Sequence, residues 1–204
     1  MKKLREIIEK PEKTHGEHII DKLHSMDPYE TMMGSDVLKS SIPHAIFGKY
    51  WGEMDGNTHE EKLKSSLEYN RDDYDKYFKD RMKNCTKNIR DTSQHDQNGR
   101  LILHRVLKHK DLDTLKSDIS SRGDKQGNYW TWTDQAKGGY HVYGSADQHT
   151  ATIKGTLRDH NDIDFKNTHR QMLDPKHYVE NEIRLKDNTG IDGVKITHID
   201  NKEV

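Results

Sequence analysis

The chain has 204 residues, 30% apolar and 34% charged, which allows one sizeable core with a helical appendage and excludes a membrane-spanning bundle. Positive and negative side chains nearly cancel, 34 against 35, so no overall field draws it to nucleic acid or an anionic membrane. The lone Cys85 excludes an internal disulfide and the charged start Met1-Lys2-Lys3-Leu4 lacks an apolar leader; a cytoplasmic protein is expected, in the host cytoplasm if it is viral.

Residues 1–98 read as a helical N-terminal region. Leu4, Ile7 and Ile8 form one apolar stripe and Ile19, Ile20 and Leu23 another, each at helical spacing. Pro11, Pro28 and Pro43, with Gly48, Gly52 and Gly56, divide this half into short helices. Leu63, Leu67, Tyr74, Tyr77, Phe78 and Met82 predict a helix over 60–90, broken around residues 70–73. A polar loop over 91–99 closes the half.

Residues 99–204 read as a strand-rich core. Strands are predicted over 101–107, 129–133, 150–157, 180–185 and 194–199, with a helix over 112–121 and another beginning at Asp134. The polar run 166–176, containing Pro175, reads as a loop. The class expected is α+β.

The segment Val179-Glu180-Asn181-Glu182-Ile183-Arg184-Leu185 carries the chemistry. Carboxylates two residues apart on a strand share one face, where like charges repel unless a cation, water or a substrate uses them. Upstream stand an arginine in an apolar run, Leu101-Ile102-Leu103-His104-Arg105-Val106-Leu107, and a hydroxyl-bearing aromatic strand, Tyr129-Trp130-Thr131-Trp132-Thr133. Trp130 and Trp132 fall on the face opposite Thr131 and read as core.

An arginine on an early strand, a hydroxyl-rich strand followed by Ala136, and Glu-x-Glu on a late strand resemble the ADP-ribosyltransferases of the R-S-E class, including the small bacteriophage enzymes. The similarity spans about the last hundred residues. It implies that the helical first half, which fits the family only loosely, is followed by a split pair of small sheets with NAD, the substrate, between them. By that resemblance Glu182 is the catalytic glutamate, Glu180 helps activate the acceptor, and Thr131 supports Glu182 and the nicotinamide ribose. Arg105 would hold the phosphates of NAD. Thr133 would join the cofactor site, Tyr140 and Tyr143 would approach the nicotinamide, and Tyr178, in the 169–178 loop, would contact the target. Where the family motif reads Ser-Thr-Ser, this chain has Thr131-Trp132-Thr133. His104 sits beside Arg105, and a sister class uses a histidine on that strand; alternation leaves open which of the two faces the cleft.

The chemistry implied is transfer of ADP-ribose to a macromolecule with release of nicotinamide. A carboxylate near the ribose stabilises an oxocarbenium-like charge as it develops, and a guanidinium suits a diphosphate. A protein arginine is the expected acceptor and nucleic acid the alternative. Two rival classes are a non-catalytic viral protein binding a host factor or nucleotide, and a metal-dependent nuclease or phosphodiesterase using the histidines and Asp162 or Asp164. His15 and His18, with His24 beyond, lack a Cys pair or His-Glu-x-x-His pattern, and Asp162 and Asp164 read as turn acids, so no metal is assigned. The basic residues over 76–90 are interleaved with acids and read as a solvated helix face.

Overall fold

The computed structural model describes residues 13–48, 56–133, 147–175, 181–187 and 189–204. The expectations for Leu4, Ile7 and Ile8, for Asp134 and Ala136, and for Tyr140, Tyr143, Tyr178 and Glu180 lie outside them.

Five helices come first: α1 (His15–His24), α2 (Pro28–Met33), α3 (Asp36–Phe47), α4 (His59–Tyr69) and α5 (Arg71–Thr92). Polar side chains cap the first four. Thr14 and Thr58 form capping boxes with Glu17 and Glu61, while Asp27 and Ser35 accept from first-turn N–H groups, filling donors that a helix leaves unpaired. The predicted break falls at Asn70, whose side chain donates to Ser66 O at 3.1 Å and ends α4. Along α5, Tyr74, Phe78, Met82, Cys85 and Ile89 recur at helical spacing and are buried.

Then follow β1 (Gln94–His95), β2 (Leu101–His109), α6 (Leu112–Arg122), β3 (Tyr129–Thr131), β4 (His149–Leu157), a 3-10 turn (His160–Asp162), α7 (Phe165–Leu173), β5 (Glu182–Arg184), β6 (Ile191–Ile199) and β7 (Lys202–Glu203). The described strands join in one antiparallel sheet of seven, ordered β5-β3-β2-β4-β6-β7, with β1 also pairing with β2. The class is α+β, as expected, although the described strands form one sheet where a split pair was anticipated. Strand β2 pairs with β4 along residues 102–109, and with β1 and β3 in addition, so it links all the pieces.

Leu101, Leu103, Ala151, Ile153, Leu157, Trp130 and Ile183 are wholly or almost wholly buried and belong to the same apolar core as Ile19, Leu23, Tyr74 and Ile89 of the helical half. Helix α6 meets β2 and β4, burying Leu115 and Ile119. At Gly155, where the β4 to β6 register shifts, a Cβ would collide with Ile191 Cγ2 and approach Asp192 O at 3.2 Å; glycine is what permits that close backbone approach.

The loop expected over 166–176 is instead helix α7 up to Leu173. Thr168, His169, Met172 and Leu173 are buried, Phe165 packs against the core, and Asp164 caps the first turn by accepting from Asn167 N at 3.1 Å. Lys166, Asn167, Arg170 and Gln171 fill the other positions, which hid an amphipathic stripe inside a polar-looking run. Likewise, residues 94–95 of the expected polar loop form β1.

Candidate active site

Pairing register assembles the site. His104 pairs with Thr131 and Thr131 with Glu182, so these side chains stand in one row on one face of the sheet. Lys154, paired with His104 on the other side, extends the row. His104 and Thr131 are buried and Glu182 is half-buried. A basic end, an imidazole, a hydroxyl and a carboxylate therefore follow one another across four strands.

Arg105, one residue along β2, projects from the opposite face. It pairs with the buried Ile153, and a Cβ on Gly127, whose φ is +88°, would lie 2.6 Å from its Nη1. Burial holds its guanidinium below the usual range; nearby Arg122 adds to this, while Glu182 and Tyr129 act the other way. Its Nη1 is buried without a hydrogen-bond partner among the described residues. The register thus puts Thr131 and Glu182 in one row with His104 and leaves Arg105 outside that row, its guanidinium still within electrostatic reach of Glu182. Trp130 and Trp132, 1% and 2% exposed, lie in the core as expected, their ring N–H groups donating to Gly127 O at 2.8 Å and Asn88 Oδ1 at 2.9 Å.

The Thr131 hydroxyl faces two carbonyls, His104 O at 3.2 Å and Thr133 O at 3.0 Å. Its single proton goes to the backbone, so it does not orient Glu182. That contact comes from α7: Gln171 Nε2 donates to Glu182 Oε1. Helix α7 is itself anchored. Arg81 Nε and Nη2 donate to Met172 O at 3.0 Å and Asp174 O at 2.5 Å, and Tyr77 Oη to Leu173 O at 2.8 Å, satisfying carbonyls a helix end leaves open. At its other flank the Thr168 hydroxyl accepts from Arg184 N of β5 at 3.1 Å. The helical half thereby sets the position of Gln171.

Chain entry to β5 is also fixed. Asn181 has a left-handed φ of 46°, its carbonyl accepts from Trp132 N at 3.2 Å, and its Nδ2 donates to Thr133 Oγ1 at 3.4 Å. Backbone in that region is costly for a residue other than glycine and marks a position held by its surroundings. Tyr129 is 44% exposed on the face of the row, with the Arg184 guanidinium 4.3 Å from its ring centre.

No family model, curated protein or solved structure matches the chain.

Sequence reasoning missed Gln171, whose signal was the apolar spacing of α7, and it missed Tyr129, which alternation places on the Thr131 side. Of the histidines weighed for metal, His15 and His18 gather with His160, the His18 and His160 rings stacking at 4.4 Å, while Gly16 N donates to His95 Nε2 at 3.3 Å. Among the described residues no group of three or more His, Cys, Asp or Glu side chains is placed to hold a metal. Among the same residues no helix is long and apolar enough to cross a membrane.

Proposed function

We propose that the chain is a mono-ADP-ribosyltransferase that consumes NAD, releases nicotinamide and modifies a macromolecule. The observation that carries the reading is the row itself: Glu182 shares one sheet face and one register with Thr131 and His104. These residues come from strands far apart in sequence; Thr131 and Glu182 stand in the order the resemblance implies, with His104 where it puts Arg105.

In this reading the Glu182 carboxylate, held by Gln171, lies beneath the nicotinamide ribose. The bond between the ribose C1′ and the pyridinium nitrogen breaks, its electron pair leaves with neutral nicotinamide, and the carboxylate stabilises the positive charge left on the sugar. The acceptor nitrogen then bonds to C1′ and gives up its proton to Glu180. Lys154, which stands in the row and is half-exposed, meets the dinucleotide rather than Arg105, while the buried His104 supports the row from beneath. Lys154 supplies the charge a diphosphate needs, and Tyr129 offers an exposed ring to a base. The acceptor is a protein arginine, on the strength of the Glu-x-Glu spacing.

The test is incubation of the purified chain with NAD labelled in the adenylate part and a cell lysate. Transfer of label to protease-sensitive material, lost in Glu182→Gln, is expected. Transfer that survives in Glu182→Gln, or no transfer and no nicotinamide release by the parent chain, overturns the reading; label removed by nuclease instead of protease moves the acceptor to nucleic acid.

A further inference from the structure

A second feature lies away from the row, between α1, α2 and α5. Leu23, Met26, Pro28, Phe78, Met82 and the buried ring of His169 line an open groove of about 700 Å³, within the roughly 300–1,000 Å³ range of binding clefts. One wall is basic. Lys79, Lys83, Lys87 and Arg90 all line the groove and are exposed, and the lysines recur every fourth residue, one helical turn apart. From Lys79 to Arg90 the wall runs about 16 Å at 1.5 Å per residue. Lys87 pairs with Asp91 at 3.0 Å; Lys79, Lys83 and Arg90 make no ion pair among the described residues. In a chain of net charge −1, this is a local concentration of positive charge beside an apolar floor. Acids interleaved in sequence obscured it, because α5 turns Asp72, Asp73 and Asp80 away from the groove and leaves Asp75 at one end and Asp91, on Lys87, at the other.

We propose that this groove docks an acidic amphipathic helix of a partner protein. The apolar stripe of such a helix would lie on Met26, Pro28 and Met82, with Leu23 and Phe78 buried beneath them, and its carboxylates, one turn apart, would face Lys79, Lys83, Lys87 and Arg90. Methionine on both walls adapts to varied apolar side chains. Charge complementarity selects an acidic occupant, and the floor selects a helix over nucleic acid: its one benzene-type ring, Phe78, is 3% exposed and offers no face for base stacking. The inference is independent of the transferase reading, because the groove and the row share no residue.

The test selects a displayed library of random 16-residue peptides on the full chain, then measures a chosen synthetic peptide by fluorescence anisotropy. Enriched sequences are expected to combine apolar residues at helical spacing with Asp or Glu on one flank. Binding should weaken at least about tenfold in Lys79→Glu/Lys83→Glu/Lys87→Glu and fall as salt rises, while circular dichroism shows the variant folded. No enrichment, enriched peptides without acids, or undiminished binding by the folded variant overturns the proposal. So does a single-stranded oligonucleotide or an anionic phosphatidylserine vesicle that binds through the same lysines when no peptide does.

Discussion

Gln171 of α7 donates a side-chain hydrogen bond to the Glu182 carboxylate of β5, so a helix held by the N-terminal half sets the orientation of the candidate catalytic acid. Because the Thr131 hydroxyl is spent on backbone carbonyls, Gln171 is a positioning residue acting through Glu182. Gln171→Ala should lower kcat for NAD turnover by about 10- to 100-fold, the scale of a misplaced reacting group, with KM for NAD little changed. Gln171→Glu should be as damaging, since like charges would meet. Steady-state nicotinamide release checks both; a rise in KM at constant kcat would place Gln171 in NAD binding instead.

His104 and Arg105 are adjacent in sequence and opposite in space, which separates their substitutions. His104→Ala empties a buried position in the row and should lower turnover by about 10- to 100-fold by misplacing its neighbours Thr131 and Glu182, with circular dichroism showing the variant folded. Arg105→Met replaces a guanidinium with a buried, incompletely hydrogen-bonded Nη1 by an apolar side chain of similar reach, a change that is often neutral or stabilising. Arg105→Met should therefore melt at or above the parent temperature and keep most activity. Loss of activity with unchanged melting would restore the phosphate-holding role to Arg105.

Gly155→Ala tests the close approach of β4 and β6. The new methyl would strike Ile191 Cγ2, which is 1% exposed and cannot move aside freely. Overpacking of this kind costs about 1–3 kcal/mol. Urea unfolding should show a lower midpoint at unchanged slope, and an unchanged midpoint would mean that β6 yields without cost.

Much of the sheet was legible because its strands are short apolar runs between turn signals: residues 101–107, 150–157 and 194–199 all lie within observed strands. The order Thr131 then Glu182 was legible too, but not their partner on β2. Register decides whether His104 or Arg105 joins the row, and a shift of one residue exchanges the two faces; nothing in the local sequence fixes it. Helix α7 escaped because its stripe includes Thr168 and His169, polar residues buried by specific bonds rather than by apolarity. The groove escaped because charge pattern along a sequence does not reveal charge around a helix.

His169 gives the chain a defined acid sensitivity. It is wholly buried, with Nδ1 2.8 Å from Thr31 Oγ1. The Thr31 hydroxyl donates to Asp27 O at 3.1 Å, so Nδ1 carries the proton and donates to Thr31, leaving a neutral ring. Burial pushes its pKa down to about 4, Asp27 opposing and His24 reinforcing the shift. Because the folded value lies below the unfolded 6.5, the unfolded chain takes up the proton first as pH falls. Stability is therefore complete above about pH 6.5 and declines between there and about pH 4, by about 3 kcal/mol at 1.36 kcal/mol per unit. His169→Gln retains a side-chain N–H for Thr31 and cannot titrate. Unfolding by urea from pH 7.5 to 4 should show the parent losing about 3 kcal/mol more than His169→Gln over that window, the other histidines cancelling in the comparison. Parallel curves would mean that the ring is protonated in the folded state at ordinary acid pH.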